Sequence, residues 1–208
     1  MDDEHDEQAL IAAARRGTVE AFNALIERHQ RRAYNLAYRL IGDPDAAADA
    51  TQEAVIAAYN NLGSYRGGSF RGWLMRIVTN TSYDELRRRK RRPTLSTDQI
   101  DPDDPERASD ITFLADPDDE PEEVALRHAL NDVIQACLDG LSVEFRMVAV
   151  LADVQGYDYS EIAAIVNTSL GTVKSRLSRA RERLRTCLQG AGELLPARFR
   201  LRDQNTTD

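Results

Sequence analysis

Residues 157-YDYSEIAAIVNTSLGTVKSRLSRARERLR-185 decide the fold class of this chain, because they spell two helices and the turn between them. Asp158 with Glu161 three residues on is the pattern of a carboxylate N-cap and its reciprocal Glu, which predicts a helix start. Asn167 tolerates the left-handed backbone that a helix end requires, and Ser169 can cap the next helix by accepting from an otherwise unpaired N–H. The turn is therefore three or four residues long, as a helix-turn-helix needs. In the second helix Leu170, Val173, Leu177, Ala180, Leu184 and Leu188 recur at steps of three and four, a single stripe facing a core. Thr172, Ser175, Arg176, Arg179 and Arg183 fall on the other side. From Lys174 to Arg185 there are six cations and one acid, Glu182, in a chain of net charge -8. The basic face is thus a local feature, suited to lie in a DNA groove.

Composition sets the class around that element. With 208 residues, 42% hydrophobic and 30% charged, the chain fits a soluble globular protein of one or two domains. Apolar residues follow helical periods nearly throughout, so the fold class expected is all-α. No apolar run approaches the roughly 18 residues needed to span a bilayer, and the acidic start MDDEHDEQ resembles neither a secretory signal nor a presequence. A cytoplasmic location without membrane insertion is expected. Cys137 and Cys187 lack CxxC spacing and His5, His29 and His128 are scattered, so no metal site or cofactor is expected, and both cysteines are read as reduced packing residues. No nucleophile–base constellation or phosphate-binding loop is present in the sequence, so an enzyme is not expected either.

Charge is distributed unevenly, and that gives the domain map. Between Asp98 and Glu123 there are twelve acids against Arg107 alone, a net of 11 negative charges, with Pro102, Pro105, Pro117 and Pro121 among them. Such a stretch cannot bury enough apolar area to offset its ordering entropy and reads as an acidic linker. The rest of the chain is left modestly basic. The expected organisation is a first module over residues 1–97, the linker over 98–123, a helix-turn-helix module over 124–190, and an extension over 191–208 whose role the sequence does not assign.

Within the first module an opening helix carries Leu10, Ile11 and Ala14. A second begins near Thr18, runs through Phe22, Leu25, Ile26, Leu36, Ala37 and Leu40, and stops at Gly42-Asp43-Pro44. A helix from Pro44 places Ala47, Ala54, Ala58 and Leu62 on one face and Asp49, Gln52, Glu53 and Ile56 on another, which is acidic and exposed. The loop GSYRGGSF follows, its glycines permitting unusual backbone angles and close approach of a ligand. Ser69 can cap the next helix, expected to turn Phe70, Trp73, Leu74, Ile77 and Thr81 inward and Arg76, Asn80, Tyr83, Arg87 and Lys90 outward. That helix ends in the basic run Arg87 to Arg92, RRRKRR.

Two strings in this order, DATQEAVIAAYNNLGSYRGGSFRGWLMRIVTNTSYDELRRRKRR from Asp49 and LSVEFRMVAVLADVQGYDYSEIAAIVNTSLGTVKSRLSRARERL from Leu141, resemble the two-domain sigma factors of bacterial RNA polymerase, the extracytoplasmic-function group of the sigma-70 family. The resemblance covers both modules. It implies a dissociable specificity subunit that directs core polymerase to promoters and promotes DNA opening, with core RNA polymerase, promoter DNA and an anti-sigma factor as partners.

By the same resemblance, Asp49, Gln52, Glu53 and Ile56 dock on the polymerase. Tyr65, Arg66, Ser69, Arg76 and Asn80 hold a flipped base of the minus-ten element, a role suited to aromatic or Arg planes and amide hydrogen bonds. Tyr83, Arg87, Arg88, Lys90 and Arg91 continue that surface onto duplex phosphates. Thr172, Lys174, Ser175, Arg176, Ser178 and Arg179 read the minus-thirty-five element in the major groove, with Arg179 placed to bind a guanine bidentately. Two departures stand out: Asn167 where the family usually has Gly, and Ser169 where Pro is common. Both suit a turn. A stand-alone helix-turn-helix regulator would leave the Asp49 face and the glycine loop without a role, and a sigma mimic that binds only an anti-sigma factor would be expected to lose its basic DNA face.

Overall fold

The computed structural model describes residues 2–91 and 121–191, and among them every regular element is helical. The chain divides into two compact units, Met1–Thr97 and Asp98–Asp208. Most of the acidic linker and nearly all of the C-terminal extension lie outside the described residues.

The first unit holds α1 (Asp2–Arg15), α2 (Val19–Ile41), α3 (Pro44–Asn61) and α4 (Phe70–Arg91). Helix α2 is bounded as its sequence predicts at the far end: Gly42 adopts φ 82° and its N–H donates to the Tyr38 carbonyl, the left-handed cap that glycine supplies without strain. At the near end Thr18 has extended backbone but makes no side-chain cap bond. Asp43 accepts from the Ala46 N–H at 2.8 Å and Pro44 opens α3, where a missing N–H costs nothing.

The core of this unit is built on α2, whose Phe22, Leu25, Leu36, Ala37 and Leu40 are buried against α1, α3 and α4. Helix α3 contributes an alanine stripe, Ala46, Ala47, Ala50, Ala54 and Ala58, which lets its backbone come close to α2 and α4 while its opposite face stays in solvent. Ile11 and Ala14 seat α1. Its acidic start is also anchored, by an Asp6–Arg28 ion pair and by Glu7 against the buried His29 at 3.2 Å.

Helix α4 departs from the expected stripe. Phe70 and Leu74 are buried, but Trp73, Ile77 and Thr81 are only half-buried, and Met75, Val78, Thr79 and Ser82 fill the core instead. The helix is rotated by about one residue, or 100°. Thr79 can be buried because its hydroxyl donates to the Met75 carbonyl at 2.8 Å, satisfying the group inside its own helix.

The second unit holds α5 (Pro121–Asp139), α6 (Val143–Ala149), which runs on into a wider π-type turn over Val150–Val154, α7 (Tyr159–Ile165) and α8 (Leu170–Gly190). Helix α5 begins three residues inside the stretch assigned to the linker. Pro121 in the first turn, followed by Glu122 and Glu123, favours a helix start by fixed φ and by negative charge at the positive end of the helix dipole.

Ile162, Val173, Leu177 and Ala180 are buried beside Val148, Val150 and Leu151. Leu170, expected in the apolar stripe of α8, is instead 43% exposed, since the helix starts there and its first turn projects past the core. Leu184 and Leu188 are half-buried. The cysteines require a further correction: Cys137 on α5 and Cys187 on α8 are joined in a disulfide, their Cα atoms 5.7 Å apart across a sequence separation of 50. Nothing local marks such a pair, because its proximity comes from α5 packing on α8.

Candidate nucleic-acid interface

On α3 the face opposite the alanine stripe carries Asp49, Gln52 and Glu53, all exposed, with Ile56 62% exposed beside them. Tyr59, which the sequence reading passed over, extends the same face at 44% exposure and is held by an edge contact with Phe22, ring centroids 5.1 Å apart. An apolar pair rimmed by carboxylates on a rigid helix has the character of a protein-docking surface. The period-3.6 reading could have found Tyr59, since it lies three residues beyond Ile56.

The glycine loop follows through a 3-10 turn at Leu62–Ser64. Gly67 and Gly68 have φ 95° and 87°, a backbone that side chains other than glycine rarely adopt. This turn brings the Gly68 carbonyl within 2.6 Å of the Tyr65 hydroxyl, which donates to it. The Tyr65 ring is 3% exposed and sits edge-on to Phe70 and Trp73, at 5.9 and 5.7 Å between centroids, and burial raises its phenol above the ordinary value.

The expectation that Tyr65 presents a face to a base is therefore corrected. Its ring is part of the packing that fixes the loop, and the little of it that stays uncovered lines the groove beside α1. Arg66 and Ser69 do face solvent, and Ser69 caps α4 by accepting from the Gly72 N–H at 3.0 Å. Between α1 and the loop lies an open groove of about 360 Å³, edged by Gln8, Ala12, Arg15, Tyr65 and Arg66.

Along α4, Arg76 and Asn80 are exposed one turn apart, on the face that also carries Tyr83 and Arg87. Arg87 lies over the Tyr83 ring at 5.7 Å, a cation–π contact that holds the guanidinium at the surface. The basic run is not uniformly available. Arg88 pairs with Glu85 at 2.5 Å and reaches Glu53 of α3 at 3.6 Å. Arg89 pairs with Glu85 at 2.8 Å and with Asp43 at 3.3 Å. Arg91 is exposed, and the side chain of Lys90 lies outside what the structure describes.

In the second unit the turn is built as the sequence predicts. Asp158 accepts from the N–H groups of Ser160 and Glu161 at 2.8 Å each, while its own N–H donates to Glu161 at 2.9 Å. Asn167 has φ 49°, and the Ser169 hydroxyl accepts from the Thr172 N–H at 3.1 Å. These bonds set the angle at which α8 leaves α7.

On α8, Lys174, Ser175, Ser178 and Arg179 are exposed, and Thr172 and Arg176 half-buried. Two of the six cations have structural partners: Arg181 forms a two-pronged pair with Asp153 at 2.6 and 3.2 Å, and Arg183 lies over the Phe145 ring at 4.9 Å. Arg183 is thus turned toward α6, not onto the outer face where periodicity alone put it. The outer arc keeps two ammonium or guanidinium groups and two hydroxyls, a set that can bind phosphate and base edges.

Among the described residues no group of His, Cys, Asp and Glu side chains is arranged to hold a metal ion, and no helix is long and apolar enough to cross a membrane. Comparison with known proteins matches residues 25–92 to Sigma-70 region 2 and residues 131–184 to Sigma-70, region 4. The ECF RNA polymerase sigma factor SigE of Mycolicibacterium smegmatis is 37% identical over 177 residues, 85% of this chain but 65% of that protein. The ECF RNA polymerase sigma-E factor of Escherichia coli K12 is 35% identical over 184 residues, 88% of this chain and 94% of that protein. Among solved structures, CnrH in complex with the cytosolic domain of CnrY is similar with a TM-score of 0.59 at 27% identity, covering 89% of this chain and 98% of that one. The sigma factor RpoE of Bartonella quintana, in complex with the anti-sigma factor NepR, is similar in fold, with a TM-score of 0.59 at 24% identity over 80% of this chain and 96% of that one. This chain belongs to the extracytoplasmic-function group of the sigma-70 family of RNA polymerase sigma factors.

Proposed function

We propose that three surfaces divide the work of promoter recognition in this factor, which directs core RNA polymerase to promoters and promotes DNA opening there. The α3 face, Asp49, Gln52, Glu53 and Ile56 with Tyr59, docks on the core enzyme. The loop and α4, through Arg66, Ser69, Arg76 and Asn80, receive a base of the minus-ten element once it leaves the stack; Tyr83, Arg87, Arg88 and Arg91 hold the adjoining backbone. Helix α8, through Thr172, Lys174, Ser175, Arg176, Ser178 and Arg179, reads the minus-thirty-five duplex.

The observation that supports this reading best is the co-occurrence, in one chain, of an apolar–acidic docking face and two separate cationic faces. A stand-alone DNA-binding regulator has no use for the exposed Ile56 and Tyr59. A mimic that binds only an anti-sigma factor has no use for Lys174 and Arg179 on an outer arc.

The factor carries no catalytic centre of its own, and phosphoryl transfer belongs to the core enzyme. It acts in the cytoplasm, and an anti-sigma protein holds it inactive. The modules are assigned to residues 1–97 and, from the start of α5, to about 190, with the acidic linker between them. Binding of a labelled duplex carrying both promoter elements tests the division of labour. Core and factor together should bind with specificity that neither has alone, and sequence-independent binding by the mixture would overturn it.

A further inference from the structure

The Cys137–Cys187 pair has no place in docking or DNA reading, yet it ties the recognition helix to the helix that follows the linker. The naming of α8 as that helix rests on the function proposed above; the chemistry of the pair does not. Cys137 is 4% exposed on α5, whereas Cys187 is exposed on the last turn of α8. One residue of the pair is open to solvent and the other is buried behind it.

The packing of α8 is uneven along its length. Val173, Leu177 and Ala180 are at most 1% exposed, but beyond Ala180 its apolar side chains Leu184 and Leu188 are only half-buried. The covalent link falls in this thinly packed half. We propose that Cys137 and Cys187 form a reversible redox modification site, oxidised by a small-molecule disulfide, that locks the distal half of α8 onto α5.

The exchange runs in two balanced steps. The Cys187 thiolate attacks one sulfur of the oxidant, forming a Cys187 mixed disulfide and releasing one thiol. The Cys137 thiolate then attacks the Cys187 sulfur and releases the second thiol. Two protein thiols are oxidised, one disulfide of the oxidant is reduced, and the two thiol protons end on the released thiols. Reduction retraces the path, with the incoming thiolate attacking the exposed Cys187 sulfur. A disulfide is the fitting oxidant because it supplies both oxidising equivalents and a thiol leaving group at each of the two steps.

The full-length chain is equilibrated in buffers of reduced and oxidised glutathione, quenched by alkylation, and weighed intact. Wild type should lose two hydrogens intramolecularly as the buffer becomes oxidising. Cys137→Ser should stop at a single glutathione adduct on Cys187, while in Cys187→Ser the buried Cys137 should take up at least about tenfold less under native conditions. Hydrogen exchange of the same samples should show residues 184–190 and 130–139 exchanging about tenfold faster or more when reduced, with residues 170–180 changed less than about twofold.

Both thiols remaining alkylatable in fully oxidised buffer, the two single variants behaving alike, or exchange indifferent to redox state would each overturn the proposal. Cys137→Ala replaces Cys137→Ser if the latter fails to fold. Polymerase and DNA are absent from these measurements, so their outcome is separate from that of the sigma-factor reading.

Discussion

Arg88 Nη2 lies 3.6 Å from Glu53 Oε1, so a cation of the basic run on α4 and a carboxylate of the proposed docking face on α3 form one ion pair. Both side chains are more than half exposed, so the pair adds little to stability. Its interest is that it joins the two proposed surfaces. A polymerase that engages Glu53 competes with Arg88 for it, and whatever Arg88 loses there it can recover on a DNA phosphate.

The first prediction concerns that docking face. Asp49→Arg with Glu53→Arg should leave the helical fold intact, because both positions are exposed, and should abolish association with core polymerase, reversed charge at a complementary interface costing several kcal/mol. Ile56→Asp should act in the same direction by removing the apolar centre. Co-elution of either variant with core at wild-type yield removes the assignment.

A second prediction separates the loop's scaffold from its contacts. Tyr65→Phe deletes only the hydroxyl bond to Gly68 and should cost about 1 kcal/mol of first-module stability. Tyr65→Ala empties a buried aromatic site and should cost about 3–5 kcal/mol. Asn80→Ala, at an exposed position, should leave denaturant unfolding unchanged while slowing open-complex formation. If Asn80→Ala destabilises as much as Tyr65→Ala, Asn80 is a packing residue.

The third concerns base reading by α8. Arg179→Ala should cost about 1–3 kcal/mol of binding and relax specificity at one promoter position, whereas Lys174→Ala should weaken all sequences alike if its contact is a phosphate. A uniform loss from Arg179→Ala across promoter variants demotes it to backbone positioning.

The fourth is a pH dependence. Burial holds the His29 imidazole below its ordinary value, with Glu7 opposing the shift. The unfolded chain therefore takes up a proton at His29 before the folded chain does. Stability contributed by the neutral ring is fully present above the unfolded value of about 6.5 and is lost as pH falls through it toward the lower folded value. The first module should unfold more readily at pH 5.5 than at pH 7.5, and His29→Gln should flatten that dependence. An equal slope in the variant assigns the effect to other groups.

The parts of this structure legible in the sequence are those fixed by neighbours along the chain. Asp158, Glu161, Asn167 and Ser169 act within one turn of where they stand, so the helix-turn-helix could be read residue by residue. The exposed Asp49–Ile56 face followed from helical period alone, because alanines marked the other side. What escaped depends on tertiary partners. Thr79 and Ser82 look polar, and only the packing of α4 between α2 and α3 shows that they are core. Tyr65 looks like a stacking platform until Phe70, Trp73 and the Gly68 carbonyl close around it. Arg183 shares the outer-face period of Arg179 in the sequence, and is set apart by Phe145 on another element. Cys137 and Cys187 meet only because α5 and α8 do.

Run-off transcription with purified core polymerase on a randomised promoter library tests the central claim most directly. The chain should convert core into an enzyme that starts at one family of templates sharing a minus-ten and a minus-thirty-five element, and the Asp49→Arg, Glu53→Arg variant should start at none. Transcription no more selective than that of core alone would contradict the account.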